Sequence, residues 1–231
     1  MGATIDDTLM RDIVGWDVRT WSTAVEFWDG ELDSSEPLQC MEIGAGPGGP
    51  SLWLALQGHT VLCTNFQNTR GQAEPLHKRY GVTGVTYEDV DATRIPFENR
   101  FDLIIFKSVL GGVGSDLAAQ QRAVDGMLRA LKPGGRLLYA ENLRSTWFHR
   151  AARAIAYRLR RSSWRFVSVK EMHHLLAGFE SHELYTTGSL ALFGVTEGQR
   201  NALAVLDDAV FNRLTPAGFR YVSYGVATKS R

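Results

Sequence analysis

The sequence predicts an α/β fold, in which helices cover both faces of a doubly wound and mostly parallel sheet. Between residues 38 and 144, short apolar runs that end at glycine or polar residues alternate with longer segments of helical spacing. This is the pattern of parallel strands joined by crossover helices. A glycine-rich loop, Gly44–Gly49, follows the first apolar run and opens a helix. Open α/β sheets bind ligands at the carboxyl ends of their strands, so the loop also marks the edge where a site is expected.

The predicted elements follow one another in order along the chain. Strands are predicted over Gln39–Ile43, Thr60–Thr64, Val85–Tyr87, Phe101–Phe106 and Arg136–Ala140. Helices are predicted over Ser51–Gln57 and Ala118–Leu131, because apolar residues recur there three and four positions apart. The second helix should end at the Lys-Pro-Gly-Gly run 132–135. After residue 179 the pattern changes, and strands over Phe179–Thr186 and Phe219–Thr228 flank a helical segment, Thr196–Arg213.

Length and composition favour a single domain. The 231 residues are 44% hydrophobic, and 25 basic side chains balance 25 acidic ones, which excludes a global electrostatic attraction to nucleic acid or membranes. Cys40 and Cys63 lie in apolar runs, which predicts buried, reduced thiols. Asp6, Asp7 and Asp12 stand where a signal peptide would be basic and then apolar, and no run of about 18 apolar residues occurs. We therefore expect a cytoplasmic protein.

The glycine loop predicts a ligand that approaches the backbone closely. Glycine is needed where a Cβ atom would collide with such a ligand, and the loop carries more glycines than a tight turn requires. The spacing of Gly44, Gly46 and Gly49 also fits the dinucleotide fingerprint. From the loop alone, a nicotinamide-binding domain therefore remains an alternative.

Five landmarks occur in the order found in one large family. They are Glu42 before the glycine loop, Asp91-Ala92, Ile95-Pro96-Phe97, the run Phe101–Phe106 with its Phe-Asp opening, and the turn Leu131–Gly135. In these features the chain resembles the class I, Rossmann-like S-adenosylmethionine-dependent methyltransferases. The resemblance implies a seven-stranded sheet of order 3-2-1-4-5-7-6, in which the seventh strand is antiparallel and corresponds to Phe219–Thr228.

The resemblance also implies the cofactor, S-adenosyl-L-methionine, and the residues that bind it. The glycine loop and Glu42 would hold its methionine part, and Asp91-Ala92 would contact the adenine amino group. Asn65 stands where the family usually has the carboxylate that accepts both ribose hydroxyls, and an amide offers one acceptor oxygen instead of two. The cofactor-binding residues expected are Glu42, Gly44, Ala45, Gly46, Gly48, Asn65, Asp91, Ala92 and Lys107.

The methyl acceptor should meet the residues that follow the fourth and fifth strands. Four of them are expected to bind it, namely Ser108, Gly111, Asn142 and Arg144. Glu141, His149 and His173 are the candidate catalytic bases, and a structural role is the alternative for each. His173 and His174 are neighbours, so only one of them can face inward from a helix. No histidine spacing matches a compact metal motif, and no metal is expected.

Large aromatic residues mark the segment before the first strand. Trp16 and Trp21 would contact the acceptor if this segment, residues 1–37, forms a helical lid. Packing of these aromatics on the sheet is an equally good interpretation. On either interpretation, residues 38–144 form the cofactor-binding core, and residues 145–231 form substrate-side helices and the closing strands.

The segment after the fifth strand is basic. No acidic residue occurs from residue 142 to 170, and the basic residues there are Arg144, Arg150, Arg153, Arg158, Arg160, Arg161, Arg165 and Lys170. Helical spacing places Phe148 and Ala151 opposite most of the arginines, which predicts an amphipathic helix with a basic outer face. This face is either solvated, or it binds an anionic substrate, a carrier or a membrane surface through the 144–165 region; nucleic acid is disfavoured.

These features together predict methyl transfer to an oxygen or nitrogen of a small metabolite that is anionic or carrier-bound. A non-catalytic module that binds S-adenosylmethionine is the alternative from another class. A nicotinamide oxidoreductase is a third possibility, because the glycine loop alone does not separate the two cofactors.

Overall fold

The computed structural model describes residues 5–32, 36–160 and 164–231, with a seven-stranded sheet at the centre. Its strands are β1 Gln39–Ile43, β2 Thr60–Asn65, β3 Val85–Asp89, β4 Phe101–Lys107, β5 Leu131–Asn142, β6 Ser181–Thr187 and β7 Val222–Thr228. They lie in the order β3-β2-β1-β4-β5-β7-β6. The pairings among β1 to β5 are parallel, and β7 is antiparallel to both of its neighbours. The predicted fold class, strand order and antiparallel strand are confirmed.

Helices cover both faces of the sheet. They are α1 Asp7–Val14, α2 Val18–Glu31, α3 Gly49–Leu56, α4 Thr69–Arg79, α5 Leu117–Ala130, α6 Trp147–Arg160, α7 Val169–Leu175, α8 Glu197–Leu206 and α9 Asn212–Leu214. Apolar residues of α5 and α7 pack in one core layer, and those of α1, α2, α3 and α8 pack in the layer on the opposite face. Successive side chains of β4 point into the two core layers in turn. Leu103 and Ile105 pack in the layer with α1, α2, α3 and α8, and Ile104 and Phe106 pack in the layer with α5 and α7.

Two elements differ from the sequence prediction. Strand β5 begins at Leu131, five residues earlier than expected, because Leu131 pairs with Phe101 before the register shifts. The last long helix is interrupted by a π-helical turn, Asp207–Phe211, between α8 and α9. The buried carboxylate of Asp207 accepts hydrogen bonds from the backbone N–H groups of residues 189, 190 and 191, which ties this turn to the loop after β6.

Both cysteines are free thiols inside the sheet. Cys40 in β1 and Cys63 in β2 are 1% and 0% exposed. Burial raises the pKa of both thiols, which keeps them protonated at neutral pH. This is the buried, reduced state expected from their apolar flanks.

Over the described ranges, each helix is too short or too polar to cross a lipid bilayer. The same ranges contain no group of three or more His, Cys, Asp or Glu side chains arranged to hold a metal ion.

Candidate functional site: a glycine-lined pocket and its basic neighbour

A pocket of about 430 Å³ lies at the carboxyl ends of β1, β2 and β4. Its walls come from the loops that follow four strands, together with one residue from the segment after α6. The lining residues are Gly44, Asn65, Phe66, Val90, Asp91, Ala92, Thr93, Ser108, Val109, Gly112, Val113 and Trp164. The pocket therefore stands at the edge predicted from the glycine loop.

The glycine loop leaves its backbone open toward this pocket. Gly44, Gly46 and Gly48 have φ values of +67°, +50° and +83°, which favour glycine. A Cβ atom at Gly44 would meet the side chain of Val109, whereas no atom lies within 4 Å of the corresponding position at Gly46. The space in front of Gly46 fits a ligand that presses against the backbone, as the sequence predicts.

Glu42 holds the helix behind the loop. Its carboxylate accepts hydrogen bonds from the backbone N–H of Ser51, at 2.8 Å, and from the Ser51 hydroxyl, at 2.5 Å. Burial raises the pKa of Glu42 to about 7, although the Ser51 bonds and Lys107 act to lower it. Glu42 thus fixes the N-terminus of α3 directly behind the glycine loop, next to the expected position of the methionine part.

Two oxygen acceptors face the same pocket. Asn65 donates its amide to Gln72 at 3.1 Å, and its Oδ1 has no bond to any described residue. Asp91 accepts from the backbone and hydroxyl of Thr93 through Oδ1, which lowers the pKa of Asp91 and leaves Oδ2 without a partner in the described ranges. Asn65 at the end of β2 and Asp91 after β3 can therefore accept hydrogen bonds from ribose and adenine.

The fourth strand supplies the wall opposite these acceptors. Ser108 has φ of +57°, and its hydroxyl oxygen accepts a 2.7 Å hydrogen bond from the amide of Asn142, which is buried at the end of β5. Gly111 is buried beneath the indole of Trp164, so a Cβ at this position would collide with the indole nitrogen. Ser108, Asn142 and Gly111 thus lie together at the edge where the acceptor is expected.

Lys107 and the N-terminal aromatics lie on the α1–α2 side of this edge. The ammonium group of Lys107 lies 4.8 Å from the ring centroid of Trp21 and 5.8 Å from that of Trp16. Burial lowers the pKa of Lys107 to about 8, against the opposite effect of the carboxylates of Glu42, Glu141 and Asp17. Trp21 is fully buried, as the packing interpretation expects, whereas Trp16 is 38% exposed. Neither ring lines the pocket at the glycine loop.

Glu141 accepts hydrogen bonds from the backbone of the loop after β4. It is fully buried, and it accepts hydrogen bonds from the backbone N–H groups of Val109, Leu110 and Asn142 at 2.6 to 2.8 Å. Burial raises the pKa of Glu141 to about 7, against the effect of these bonds and of Lys107. The carboxylate is occupied by three amides, which favours the structural alternative over a base.

His149 is also fully engaged. Its Nε2 lies 2.6 Å from the carbonyl oxygen of Ser189, so this nitrogen carries the proton and donates. Nδ1 then accepts from the hydroxyl of Thr146 at 2.6 Å. Burial lowers the pKa of His149. Both ring nitrogens have protein partners, so no lone pair is available to a substrate.

His173 lies apart from the pocket. Its Nδ1 is 2.8 Å from Nε2 of His182 in the edge strand β6. In the sheet, His182 pairs with Ala227 of β7, and Ala227 pairs with Leu137 of β5. These pairs lie near the end of the β5–β7 ladder that is opposite to Asn142. The catalytic role expected of His173 therefore has no support in its position.

The predicted outer face of the basic helix α6 is right for Arg150, which is exposed, and wrong for Arg153 and Phe148. Arg153, expected outside, is 6% exposed, and its guanidinium donates to the carbonyl of Leu143 and lies 4.1 Å from the ring centroid of Phe166. Phe148, expected inside, is 58% exposed. The bond to Leu143 and the aromatic ring turn Arg153 inward. The side chains of Arg158 and Arg160, and Arg161 as a whole, lie outside the described residues.

One acidic residue beyond the basic segment compensates part of its charge. Glu171 accepts from Arg144 and Arg165, each at 2.6 Å, and from the backbone of Ser168 at 2.7 Å. Burial acts to raise the pKa of Glu171, but the Ser168 and arginine contacts outweigh it and lower the pKa to about 2. Arg144, expected to bind substrate, thus already has one carboxylate partner.

Phe66, Trp164 and Glu171 are among the residues of this region that sequence reasoning missed. Phe66 is 69% exposed and lines the pocket directly after Asn65, so the strand-end rule could have identified it. Trp164 and Glu171 carried no such signal, because their roles depend on how the segment after α6 folds back onto Gly111 and Arg144.

Comparisons with known proteins agree with this site. A family model of a methyltransferase domain matches residues 41–139, which span β1 to β5 and the glycine loop. A demethylmenaquinone methyltransferase of Clavibacter sepedonicus is 32% identical over 103 residues, or 44% of this chain. The match covers 40% of that relative, so the chain aligns with less than half of its length.

Solved structures share the fold at low sequence identity. The phosphoethanolamine N-methyltransferase 2 of Haemonchus contortus, in complex with phosphomonomethylethanolamine and S-adenosylhomocysteine, has a TM-score of 0.65 and 17% identity, over 97% of this chain and 57% of that one. The cyclase SpnF has a TM-score of 0.63 and 18% identity, over 96% of this chain and 92% of that one. At this identity the likeness shows the fold alone, and proteins with different named reactions share it.

The matched methyltransferase domain supplies what fold similarity alone does not. Its span contains Glu42, the glycine loop, Asn65 and Asp91, and the structure brings these residues to one edge of the sheet. Residues 41–139 thus match a methyltransferase domain, within a sheet that has the strand order of the class I, Rossmann-like fold.

Proposed function

We propose that this chain transfers the methyl group of S-adenosylmethionine to an oxygen or nitrogen atom of a small molecule that is anionic or bound to a carrier. When bound, the cofactor supplies a methyl group made electrophilic by its sulfonium. One observation carries the proposal: Gly44 of the glycine loop lines the same pocket as Asn65 and Asp91, whose Oδ1 and Oδ2 atoms, respectively, can accept hydrogen bonds, and the space in front of the nearby Gly46 is open.

Different residues of the pocket bind different parts of the cofactor. Gly44 to Gly48, including Ala45, present backbone to the methionine part, and Glu42 fixes the helix behind them. Asn65 accepts from a ribose hydroxyl, and Asp91 with Ala92 binds the adenine edge. Phe66 offers an aromatic face beside these two acceptors.

Positioning is the main catalytic contribution that this chain offers. Holding the acceptor in line with the methyl group can contribute roughly 7 to 11 kcal/mol. Glu141 and His149 have their lone pairs engaged by protein groups, and His173 lies away from the pocket. We therefore propose that Ser108, Gly111 and Asn142 orient the acceptor, and that none of these three candidate bases takes its proton.

The acceptor side faces the basic segment. Arg144 follows β5 at the ligand edge, and it belongs to the run 142–170 that lacks acidic residues. Arginine recognises phosphate and carboxylate groups with paired N–H donors. An anionic acceptor or carrier fits this side, in a cytoplasmic protein whose two cysteines are both free thiols.

Calorimetry separates this function from its rivals. The full chain should bind S-adenosylhomocysteine with micromolar affinity and should show no heat with NAD at the same concentration. Methyl transfer is then measured with labelled S-adenosylmethionine and a panel of small acids, phosphate esters and their neutral analogues. Binding of NAD in place of S-adenosylhomocysteine would contradict the proposal. Cofactor binding without transfer to any acceptor of the panel would favour a non-catalytic module.

A further inference from the structure

A second cleft of about 440 Å³ lies beside the cofactor pocket. Four of its lining residues are arginines, and no described carboxylate lines it. The lining residues are Arg144, Arg150, Arg153, Ala154, Trp164, Arg165 and Phe166. Trp164 also lines the cofactor pocket, so the two spaces share one lining side chain. We call this space the four-arginine cleft.

The cleft carries a net positive charge. The carboxylate of Glu171 bridges two of its four guanidinium groups, those of Arg144 and Arg165. Because the pKa of Glu171 is lowered to about 2, this carboxylate is ionised at neutral pH. The described lining side chains thus include four guanidinium groups and no carboxylate, so positive charge is in excess. A single carboxylate ligand would neutralise one of them, and a phosphate monoester, with a charge of about −2, would neutralise more of the excess.

Three of the arginines are already held in place. Arg153 donates to the carbonyl of Leu143 and lies against the ring of Phe166. Arg165 donates to Gln120 at 2.5 Å and to Glu171 at 2.6 Å, and Arg144 donates to the other oxygen of Glu171. Because these side chains are already held, binding of a ligand to them costs little additional side-chain entropy, which favours binding.

Arg150 completes the cleft from the solvent side. It is exposed, and within the described ranges its guanidinium has neither a hydrogen bond nor an ion pair. All of its N–H donors are therefore available to an anion that enters the cleft.

A chain of hydrogen bonds joins the cleft to the reacting edge. Arg153 donates to Oδ1 of Asn142 at 3.4 Å, and the amide of Asn142 donates to Ser108 at 2.7 Å. Arg153 lines the cleft and Ser108 lines the cofactor pocket. A small molecule held in the cleft by its anionic end can therefore reach past Trp164 toward the cofactor with its other end.

We propose that the four-arginine cleft binds the phosphate group of a small phosphorylated methyl acceptor. The inference rests on the proposed function, because the acceptor is placed beside the cofactor. The inward position of Arg153 favours a small ligand over a flat lipid surface, since a membrane would contact only outward-facing arginines.

Inorganic phosphate is the probe, with acetate at equal ionic strength as its comparison. Calorimetry on the full chain should show phosphate binding at least ten-fold tighter than acetate. The variant R150Q should weaken phosphate binding about ten-fold, because one charge-assisted contact is lost. Arg213 is exposed on α9 and does not line the cleft, so R213Q is the matched control and should bind phosphate as the parent does. Both variants should keep their affinity for S-adenosylhomocysteine.

Each other result has a defined meaning. Equal affinity for phosphate and acetate, or equal phosphate affinity in R150Q and R213Q, overturns the proposal. Arg150-dependent binding to phosphatidylglycerol vesicles, without competition by phosphate, overturns it in favour of a lipid surface. Phosphate binding that depends on Arg150, in a chain that does not bind S-adenosylhomocysteine, would support the cleft and contradict the proposed methyl transfer. The two proposals can therefore fail separately.

Discussion

The cofactor pocket and the four-arginine cleft share Trp164, yet they are built from different parts of the chain. The pocket consists mainly of backbone and short side chains on loops that each directly follow a strand. The cleft consists of long side chains from the end of β5, from α6 and from the segment before α7, and Glu171 of α7 pairs with two of them. A backbone site depends on local conformation, whereas a side-chain site depends on tertiary packing. Substitutions should therefore affect the two regions differently.

The largest effect is expected at the glycine loop. Gly46→Val should weaken binding of S-adenosylhomocysteine at least ~100-fold, because the added methyl groups occupy the space where the ligand meets the backbone. The positive φ of +50° adds backbone strain, which we expect to lower the melting temperature by a few degrees. Calorimetry measures the affinity, and circular dichroism checks the fold.

Gly58→Val is the matched control for this strain. Gly58 has φ of +89° and no atom within 4 Å of its Cβ position, but it lies before β2, at the opposite edge of the sheet. It should lose comparable stability and keep its cofactor affinity. Equal affinities in the two variants would mean that the ligand does not approach Gly46.

The next largest effect is expected at Glu171, the half-buried carboxylate that pairs with two arginines of the cleft. Glu171→Gln should lower the free energy of unfolding by about 1.5 to 3 kcal/mol at pH 7, because two arginines lose a charged partner. The folded pKa of Glu171 is depressed to about 2, so its stabilisation is present above the unfolded pKa, about 4.3, and is lost as pH falls toward 2. Urea unfolding of both proteins between pH 7 and 3 should show their difference shrinking. A difference that stays constant with pH would contradict the assigned ion pairs.

A smaller effect is expected at the tryptophan that lines both spaces. Gly111→Ala would push the Trp164 indole from its place, which should weaken phosphate binding about ten-fold while cofactor affinity changes less. The change should also shift the tryptophan fluorescence. Gly30→Ala in α2, where a Cβ meets no atom within 4 Å, is the control. If phosphate binds equally to both variants, Trp164 does not shape the cleft.

The smallest effect is expected at the ribose contact. Asn65→Asp should preserve cofactor affinity or tighten it by up to about ten-fold, because a carboxylate accepts both ribose hydroxyls. The amide of Gln72, which now accepts from Asn65, can turn to donate to the new carboxylate. A clear loss of affinity would show that the Asn65 amide acts as a donor to the ligand.

The difference between a site made of backbone and a site made of long side chains also explains what the sequence could predict. Strand order, the glycine loop and the positions after β2, β3 and β4 follow from local patterns and family landmarks, and the structure brings Gly44, Asn65 and Asp91 to one pocket. The inward face of α6 could not be predicted in this way, because a helical wheel assigns arginine to solvent. Arg153 faces inward only because the carbonyl of Leu143 and the ring of Phe166 meet it there.

The catalytic candidates illustrate the same limit of local patterns. Its position after the fifth strand made Glu141 a plausible base, and the near-neutral titration of imidazole made His149 one. Their hydrogen bonds to Val109, Leu110 and Ser189 come from segments distant in sequence, and these bonds determine that both side chains are engaged. A residue's chemistry at such a site depends on which of its lone pairs remain available.

The two buried thiols can report how often strands β1 and β2 separate in the native protein. Cys40 and Cys63 lie in β1 and β2, the strands that carry the glycine loop and Asn65, and a thiol reagent can reach them only when these strands separate. The rate of alkylation in the native protein therefore measures how often the cofactor-binding half opens. Because a ligand that binds only the closed form makes opening rarer, S-adenosylhomocysteine should slow the labelling in proportion to its saturation. Labelling rates measured with one candidate cofactor at a time could thus identify the one that binds, without any assay of methyl transfer.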